Sequence, residues 1–216
     1  MQKSKASVQQ LAQRIMGAMP ALGSSERRLV VKLYRLLGEG EPVSPRNLAR
    51  AINLPETRVR ELLESWPGVY YDGNGSVTGF WGLSLGEMPH RFEVDGRKLY
   101  TWCAWDSLFI PGLLGKTARV TSADPVTKDR ISLVVGPDEI KEISPATMVV
   151  SFLTPDRPFD QDVIMNFCHF VHFFASTESA AKWTTDHPGT FLLSVDDAWA
   201  LGQLANQQNA EGALRS

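Results

Sequence analysis

The chain has 216 residues, of which 43% are hydrophobic and 21% are charged, and this balance is typical of a globular protein. Its formal net charge of -2 excludes a strongly basic nucleic-acid binder for the chain as a whole. The charge is unevenly divided, because residues 1–66 carry 11 Lys and Arg against 6 Asp and Glu, whereas the remainder carries 11 against 18. A nucleic-acid role for the N-terminal part therefore stays open.

The sequence also indicates where the protein works. No apolar run approaches the ~20 residues that a membrane-spanning helix needs. The first residues, MQKSKASVQQLAQRIMGAMP, lack the continuous apolar centre of a signal peptide. We therefore expect a soluble, cytoplasmic protein with no membrane partner. In that compartment the two cysteines, Cys103 and Cys168, are expected to be reduced thiols.

Residues 1–66 show apolar side chains at helical spacing. The segments LAQRIMGAM and ERRLVVKLYRLL predict two helices, with Ser24 or Ser25 as the N-cap of the second. VSPRNLARAINLPETRVRELL then predicts a helix-turn-helix, because Ser44 can cap its first helix and Pro55 can open its second.

An aromatic segment follows these helices. VYYDGNGSVTGFWGLSL places a DGNG turn between alternating aromatic and small residues, which is a hairpin signal. A helix-turn-helix followed by a hairpin predicts a winged-helix-like domain, which we bound at residues 1–85. The hairpin aromatics are Tyr70, Tyr71, Phe80 and Trp81. They offer more apolar surface than so small a domain buries alone, so we expect this domain to pack against the rest of the chain and help close a pocket.

Residues 86–216 predict a mixed domain of short strands with packed helices, so the fold class of the chain is α+β. Strands are predicted at HRFEVDGRKLY, KTARVTSAD, DRISLVVGP, ATMVVSFLTP, FCHFVHFFAS and TFLLSV. Helices are predicted at the buried segment LYTWCAWDSLFIPGLLG, at STESAAKWTTDH with Ser176 as its N-cap, and at DDAWALGQLANQQ. The tail EGALRS is expected to fray.

The buried helical segment contains a thiol and a carboxylate three positions apart. On a helix, Cys103 and Asp106 would lie on one face and point into one cavity. Each has a structural alternative, because a free cysteine often serves as a small hydrophobe and an aspartate as a helix cap. A carboxylate is costly to bury without a partner or a shifted pKa, so the spacing alone leaves both interpretations open.

The second cysteine, Cys168, lies in FCHFVHFFAS. As a strand, this segment would put Cys168 and His172 on one face with Phe170 and Phe174, and His169 on the other. The alternatives for Cys168 are a core thiol and a Cys/Cys/His metal site, and Cys103 could also form a nucleophile pair with His172. Structural zinc is disfavoured because its ligands come in close pairs that this chain lacks. We expect His172 to be a core histidine.

These segments resemble one known family. LYTWCAWDSLFIP, KTARVTS, NFCHFVHFFAS and LGQLANQ stand in the order and at the spacing found in the bacterial organomercurial lyases, also called alkylmercury lyases or MerB. The resemblance extends through PVSPRNLARAINLP and DGNGSVTGFWGLSL and is weakest at the N-terminus. It implies an enzyme that cleaves the carbon–mercury bond by protonolysis, giving a hydrocarbon and Hg(II), in mercury detoxification.

The resemblance also implies which residues carry the activity. The family's W-C-A-x-D motif places a catalytic cysteine on Cys103 and a catalytic aspartate on Asp106, and its second motif places the other cysteine on Cys168. These three residues would bind mercury as substrate and product. Some relatives carry a further cysteine directly after the second catalytic one, where this chain has His169. Whether His169 or His172 affects mercury transfer stays open.

The chemistry of mercury agrees with these residue types. A soft metal ion prefers soft thiolate ligands, and thiolate donation makes the mercury-bound carbon a better proton acceptor. A carboxylate can carry a proton from a thiol to that carbon, and apolar walls accommodate alkyl or aryl groups and exclude water. No organic cofactor is implied. The implied partners are organomercurial substrates, cytoplasmic thiols that support turnover and, by family analogy, a mercuric reductase.

The alternative function is a winged-helix, metal-sensing regulator that binds DNA through its N-terminal part and mercury through its two cysteines. Its recognition helix would be PETRVRELLESW, in which Arg58 and Arg60 are offset by Glu56, Glu61 and Glu64. Such a helix is a poor surface for phosphates, so we expect no nucleic-acid partner.

Overall fold

The computed structural model describes residues 2–210 and residue 213, and the predicted fraying of the tail falls almost entirely outside them. The α-helices of the described part are α1 (Gln2–Ala18), α2 (Ser24–Leu37), α3 (Pro45–Ile52), α4 (Glu56–Ser65), α5 (Asp106–Leu114), α6 (Val163–Asn166), α7 (Thr177–Asp186) and α8 (Val195–Asn209). The strands are β1 (Val69–Tyr71), β2 (Val77–Phe80), β3 (Leu83–Ser84), β4 (His90–Val94), β5 (Arg97–Thr101), β6 (Ala118–Ala123), β7 (Arg130–Val135), β8 (Ile140–Ser144), β9 (Val149–Leu153), β10 (Phe173–Phe174) and β11 (Thr190–Ser194). A short 3-10 helix, η1, covers Cys168–Phe170.

The N-terminal helices begin near the predicted N-caps, but two of the predicted helix starts differ from the structure. Ser44 caps α3 as predicted, accepting the Asn47 N–H at 3.2 Å. The predicted serine cap of α2 is wrong, because Gly23 is the N-cap and its N–H donates to the Glu26 carboxylate at 2.7 Å. Pro55 is the N-cap of α4 and not its first helical residue.

An eight-stranded antiparallel sheet forms the larger layer, in the order β1-β2-β3-β5-β4-β6-β7-β8. The predicted β1–β2 hairpin is present, and β3 joins it to β5. Residues on both sides of position 85 therefore share one sheet, and the division into domains 1–85 and 86–216 stays a prediction. HRFEVDGRKLY forms two strands instead of the one predicted, because Asp95 and Gly96 take positive φ angles of 49° and 76° and reverse the chain. The edge strand β8 was not predicted.

The second sheet has three strands in the order β10-β9-β11. Helices α7 and α8 occur where the sequence predicts them, and Ser176 caps α7 by accepting the Ser179 N–H at 3.2 Å. The predicted strand FCHFVHFFAS is wrong over most of its length, because only Phe173–Phe174 pairs with β9. The Ser151 side chain accepts the His172 N–H and donates to the Phe170 carbonyl, so these backbone groups need no strand partner.

Helix α8 contacts two helices that lie far from it in the sequence. It packs against α1 on one side and α5 on another. At Gly202 a Cβ atom would lie 2.7 Å from the Cβ atom of Phe109, so the α5–α8 approach requires glycine there. None of the described helices combines the length and apolar character that spanning a bilayer requires.

Candidate active site

Two neighbouring side chains, Cys103 and Asp106, meet the distant Cys168 in the core. The Sγ atoms of Cys103 and Cys168 and a carboxylate oxygen of Asp106 lie within 4.8 Å of one another. Cys103 is fully buried, and Asp106 and Cys168 are 5% and 4% exposed. Both cysteines are free thiols, as expected. The fold therefore brings the two cysteines together, although they are 65 positions apart in the sequence.

The first cysteine reaches Asp106 by a different route from the one predicted. The segment around Cys103 was expected to be a helix, but β5 ends at Thr101 and α5 begins only at Asp106. Cys103 lies in the intervening bend, and its backbone N–H donates to Asp106 Oδ2 at 2.8 Å. The Ala104 N–H donates to the Val171 carbonyl at 3.1 Å. These bonds satisfy the backbone of the bend, so no helix is needed until Asp106.

The second cysteine is held at the start of η1. Cys168 follows α6, and its carbonyl accepts the Val171 N–H at 3.0 Å. The Ala104–Val171 bond then joins this segment to the bend that carries Cys103. The thiols of Cys103 and Cys168 lie close enough for each to shift the pKa of the other. Two backbone segments are therefore joined next to the two thiols.

Burial dominates the electrostatics of the three groups. It raises the pKa of Asp106 to about 7, although hydrogen bonds from Cys103 act in the opposite direction. Burial, the bond to Cys168 and the negative charge of Asp106 raise the pKa of the Cys103 thiol well above its usual value. The Cys103 thiol lowers the pKa of Cys168, but burial and Asp106 outweigh it and leave that pKa raised. Near neutral pH both thiols hold their protons while Asp106 can accept or release one.

An apolar cavity of about 80 Å³ opens beside Asp106 and Cys168. Helices α1 and α2, the Trp81–Gly82 turn, α5, α6 and α8 all contribute to its wall. Its side chains before residue 86 are Ile15, Met19, Pro20, Val30, Tyr34, Pro67 and Trp81. The prediction that the N-terminal part packs against the rest and helps close a pocket is therefore confirmed. Of the hairpin aromatics, Phe80 is buried, whereas Tyr70 and Tyr71 stay 38% and 41% exposed.

Known proteins with this sequence pattern identify the family. A family model described as "MerB: Alkylmercury lyase" matches residues 83–206. An alkylmercury lyase of Pseudomonas putida is 46% identical over 188 residues, which is 87% of each chain. One of Streptomyces lividans is 42% identical over 197 residues, which is 90% of each chain. The chain belongs to the alkylmercury lyase family.

The solved structure of the mercury-bound form of MerB2 has the same fold. It matches with a TM-score of 0.72 and covers 94% of this chain and 98% of that one, at 19% identity. The predicted α+β class is confirmed, and so is the prediction of a lyase that cleaves carbon–mercury bonds. The alternative function, a metal-sensing regulator, is not supported, because these relatives are alkylmercury lyases.

No histidine of the described chain joins the three-residue cluster. The described residues therefore do not form the Cys/Cys/His metal site that the sequence left open. His172 is half-buried, and its Nε2 donates to the His169 carbonyl at 2.7 Å. Burial lowers the pKa of His172 to about 4, so this ring is neutral near pH 7.

Two residues beside Asp106 were missed in the sequence. The sequence indicated Tyr34 only as one apolar position of a helix and Gly82 only as one small residue of the predicted hairpin segment. In this alkylmercury lyase family member both line the cavity. The Tyr34 hydroxyl donates to the Trp81 carbonyl at 2.7 Å, 47 residues along the chain. No local pattern could have revealed a contact of that separation.

The raised pKa of Asp106 predicts a pH-dependent stability. In the folded protein its pKa is about 7, against an ordinary value of 3.8, so folded Asp106 keeps a proton that the unfolded chain has released. Stability should therefore fall as the pH rises from about 4 to about 7. Between pH 5 and pH 7 the wild type should lose about 2 kcal/mol of unfolding free energy relative to Asp106→Asn.

Urea unfolding of both proteins at the two pH values measures this difference. The other titrating groups are the same in both chains, so their contributions cancel. An identical pH dependence in the two proteins would contradict the raised pKa.

Proposed function

We propose that the protein cleaves organomercurials by protonolysis, converting R–Hg⁺ and a proton to R–H and Hg²⁺, with Cys103 and Cys168 as mercury ligands and Asp106 as the proton carrier. One observation supports this assignment above all: two thiols and a carboxyl group lie within 4.8 Å of one another in the core. Asp106 and Cys168 also border an apolar cavity.

Mercury capture by two thiols accounts for the electron flow. Each thiol that binds the metal gives up its proton, and its sulfur donates an electron pair to mercury. The carbon–mercury bond then gains electron density at carbon, and that bonding pair takes up a proton as the bond breaks. One thiol proton ends on the carbon, and the other leaves to solvent. Either cysteine can make the first attack.

Asp106 is placed to move that proton. Its Oδ2 accepts the Cys103 N–H at 2.8 Å, which holds the carboxyl beside the thiol. Because burial raises its pKa to about 7, it can take a proton from a thiol and give it to carbon near neutral pH. A carboxylate of ordinary acidity would hold that proton too briefly.

The surroundings suit the substrate class. The wall of the cavity is mostly aliphatic and aromatic, which fits an alkyl or aryl group and keeps bulk water away. The chemistry needs no organic cofactor. We propose that small cytoplasmic thiols deliver the substrate and remove Hg²⁺, that a mercuric reductase consumes the product, and that the enzyme works in the cytoplasm.

The two-domain organisation belongs to the same proposal. The α3–α4 pair followed by the β1–β2 hairpin supports a winged-helix-like arrangement for residues 1–85. We regard it as a scaffold that supplies part of the cavity wall, with the catalytic residues in 86–216.

Benzene release tests the proposed function. Purified protein with phenylmercury and excess thiol should form several equivalents of benzene per protein, measured by gas chromatography. A double variant, Cys103→Ser with Cys168→Ser, provides the matched control and should form none above the thiol-only background. Mercury capture without benzene from the wild type would contradict the proposal.

A further inference from the structure

We propose that Tyr34 is a positioning residue for the Asp106 carboxyl. The Tyr34 hydroxyl binds the Trp81 carbonyl and so fixes the Trp81–Gly82 turn. The Asp106 carboxyl packs against this turn. The inference rests on the proposed role of Asp106 as proton carrier. It adds to the site a residue from α2, far from both cysteine motifs.

The hydroxyl of Tyr34 makes a buried hydrogen bond to the backbone. The side chain is 1% exposed and its ring lies 5.1 Å from that of Phe80, centroid to centroid. A phenylalanine would make the same ring contacts, and a buried hydroxyl is costly unless it is hydrogen bonded. The hydroxyl donates to the Trp81 carbonyl at 2.7 Å. Its contribution is therefore to hold that carbonyl.

The turn that it holds has an unusual backbone. Trp81 has a φ of 37° and Gly82 a φ of 101°, and the first of these is uncommon for a residue with a side chain. Such a conformation persists only where neighbouring contacts determine it. Here the Trp81 N–H donates to the Gly68 carbonyl at 3.1 Å, and the Trp102 N–H donates to the Gly82 carbonyl at 3.0 Å. Tyr34 supplies the contact to the remaining carbonyl, that of Trp81.

The Trp81–Gly82 turn also confines the Asp106 carboxyl. A Cβ atom added at Gly82 would lie 2.5 Å from both Cγ and Oδ1 of Asp106, so the carboxyl rests directly on the glycine. The other oxygen, Oδ2, accepts the Cys103 N–H. Asp106 is thus held between a backbone donor and the turn. A displaced turn would let the carboxyl rotate away from the thiols, which it must meet to exchange a proton.

Removing only the hydroxyl tests this role. Tyr34→Phe should lower kcat for phenylmercury on the order of 10-fold, because proton transfer is sensitive to position. KM and the ultraviolet mercury–thiolate absorbance with Hg²⁺ should stay unchanged, because phenylalanine keeps the ring that lines the cavity and both cysteines are retained. Tyr71→Phe, which removes a hydroxyl from a partly exposed tyrosine, should match the wild type. Gly82→Ala adds a Cβ atom that presses on the Asp106 carboxyl from the turn. It should also lower kcat and leave KM unchanged.

A double variant separates action through Asp106 from general destabilisation. In an Asp106→Asn background, Tyr34→Phe should change the residual single-turnover rate less than twofold, because the carboxyl it positions is gone. Sampling benzene over days keeps such slow rates measurable. Three results would each overturn the inference. The first is that the rate losses of Tyr34→Phe and Asp106→Asn multiply in the double variant. The others are an unchanged kcat in Tyr34→Phe and a loss of both kcat and mercury binding in that variant. Failure of the wild type to release benzene would instead overturn the proposed function.

Discussion

Replacing either cysteine with serine is expected to abolish hydrocarbon release from organomercurials, lowering the rate by at least about a thousandfold. A hydroxyl is a poor ligand for a soft ion, and one remaining thiolate donates too little electron density to the mercury-bound carbon. The cluster of Cys103, Asp106 and Cys168 holds two thiols and no third, so removing either one leaves a single thiol for mercury. Benzene from phenylmercury, measured together with protein-bound mercury, reports the outcome.

The controls for this experiment address folding and nonspecific sulfur contacts. Serine leaves a buried hydroxyl at a fully buried position, so Cys103→Ala accompanies Cys103→Ser, and circular dichroism checks the fold of both. Met165→Ser removes the sulfur of a residue that is 62% exposed and close in sequence to Cys168, and it should keep full activity. Wild-type benzene release in either single cysteine variant would refute the two-thiol mechanism.

Replacing Asp106 is expected to separate mercury binding from bond cleavage. Asp106→Asn and Asp106→Ala should still bind Hg²⁺ through both cysteines, yet lose protonolysis by about a hundredfold or more, the usual range for loss of a positioned acid or base. The amide of asparagine keeps the shape of the carboxyl and can accept the Cys103 N–H, but it cannot carry a proton between sulfur and carbon. Hydrocarbon formed and mercury bound are measured on the same samples.

Asp162→Asn is the matched control for this substitution. It makes the same chemical change in an exposed aspartate that precedes α6, outside the cluster, and it should cleave phenylmercury at the wild-type rate. If Asp106→Asn also cleaved at the wild-type rate, Asp106 would be structural, and the proton would come from another group.

The sequence by itself determined the elements whose signals are local. The N-caps Ser44 and Ser176 and the DGNG hairpin turn were readable because a cap or a tight turn is decided within a few residues. The family motifs likewise pointed to Cys103, Asp106 and Cys168 before any geometry was known. Local signals misled where a side chain satisfied the backbone in another way, as the Glu26 carboxylate does at the start of α2.

Only the tertiary structure decided how the site is assembled. The bend at Cys103 replaces a predicted helix, and η1 replaces a predicted strand at Cys168, because the Ala104–Val171 bond and the Ser151 hydroxyl satisfy those backbones across long sequence separations. The contact of Tyr34 with the turn beside Asp106 has the same character. Hydrogen bonds between distant segments leave no periodicity in the sequence, since their energy depends on where the chain has folded and not on which residues are neighbours along it.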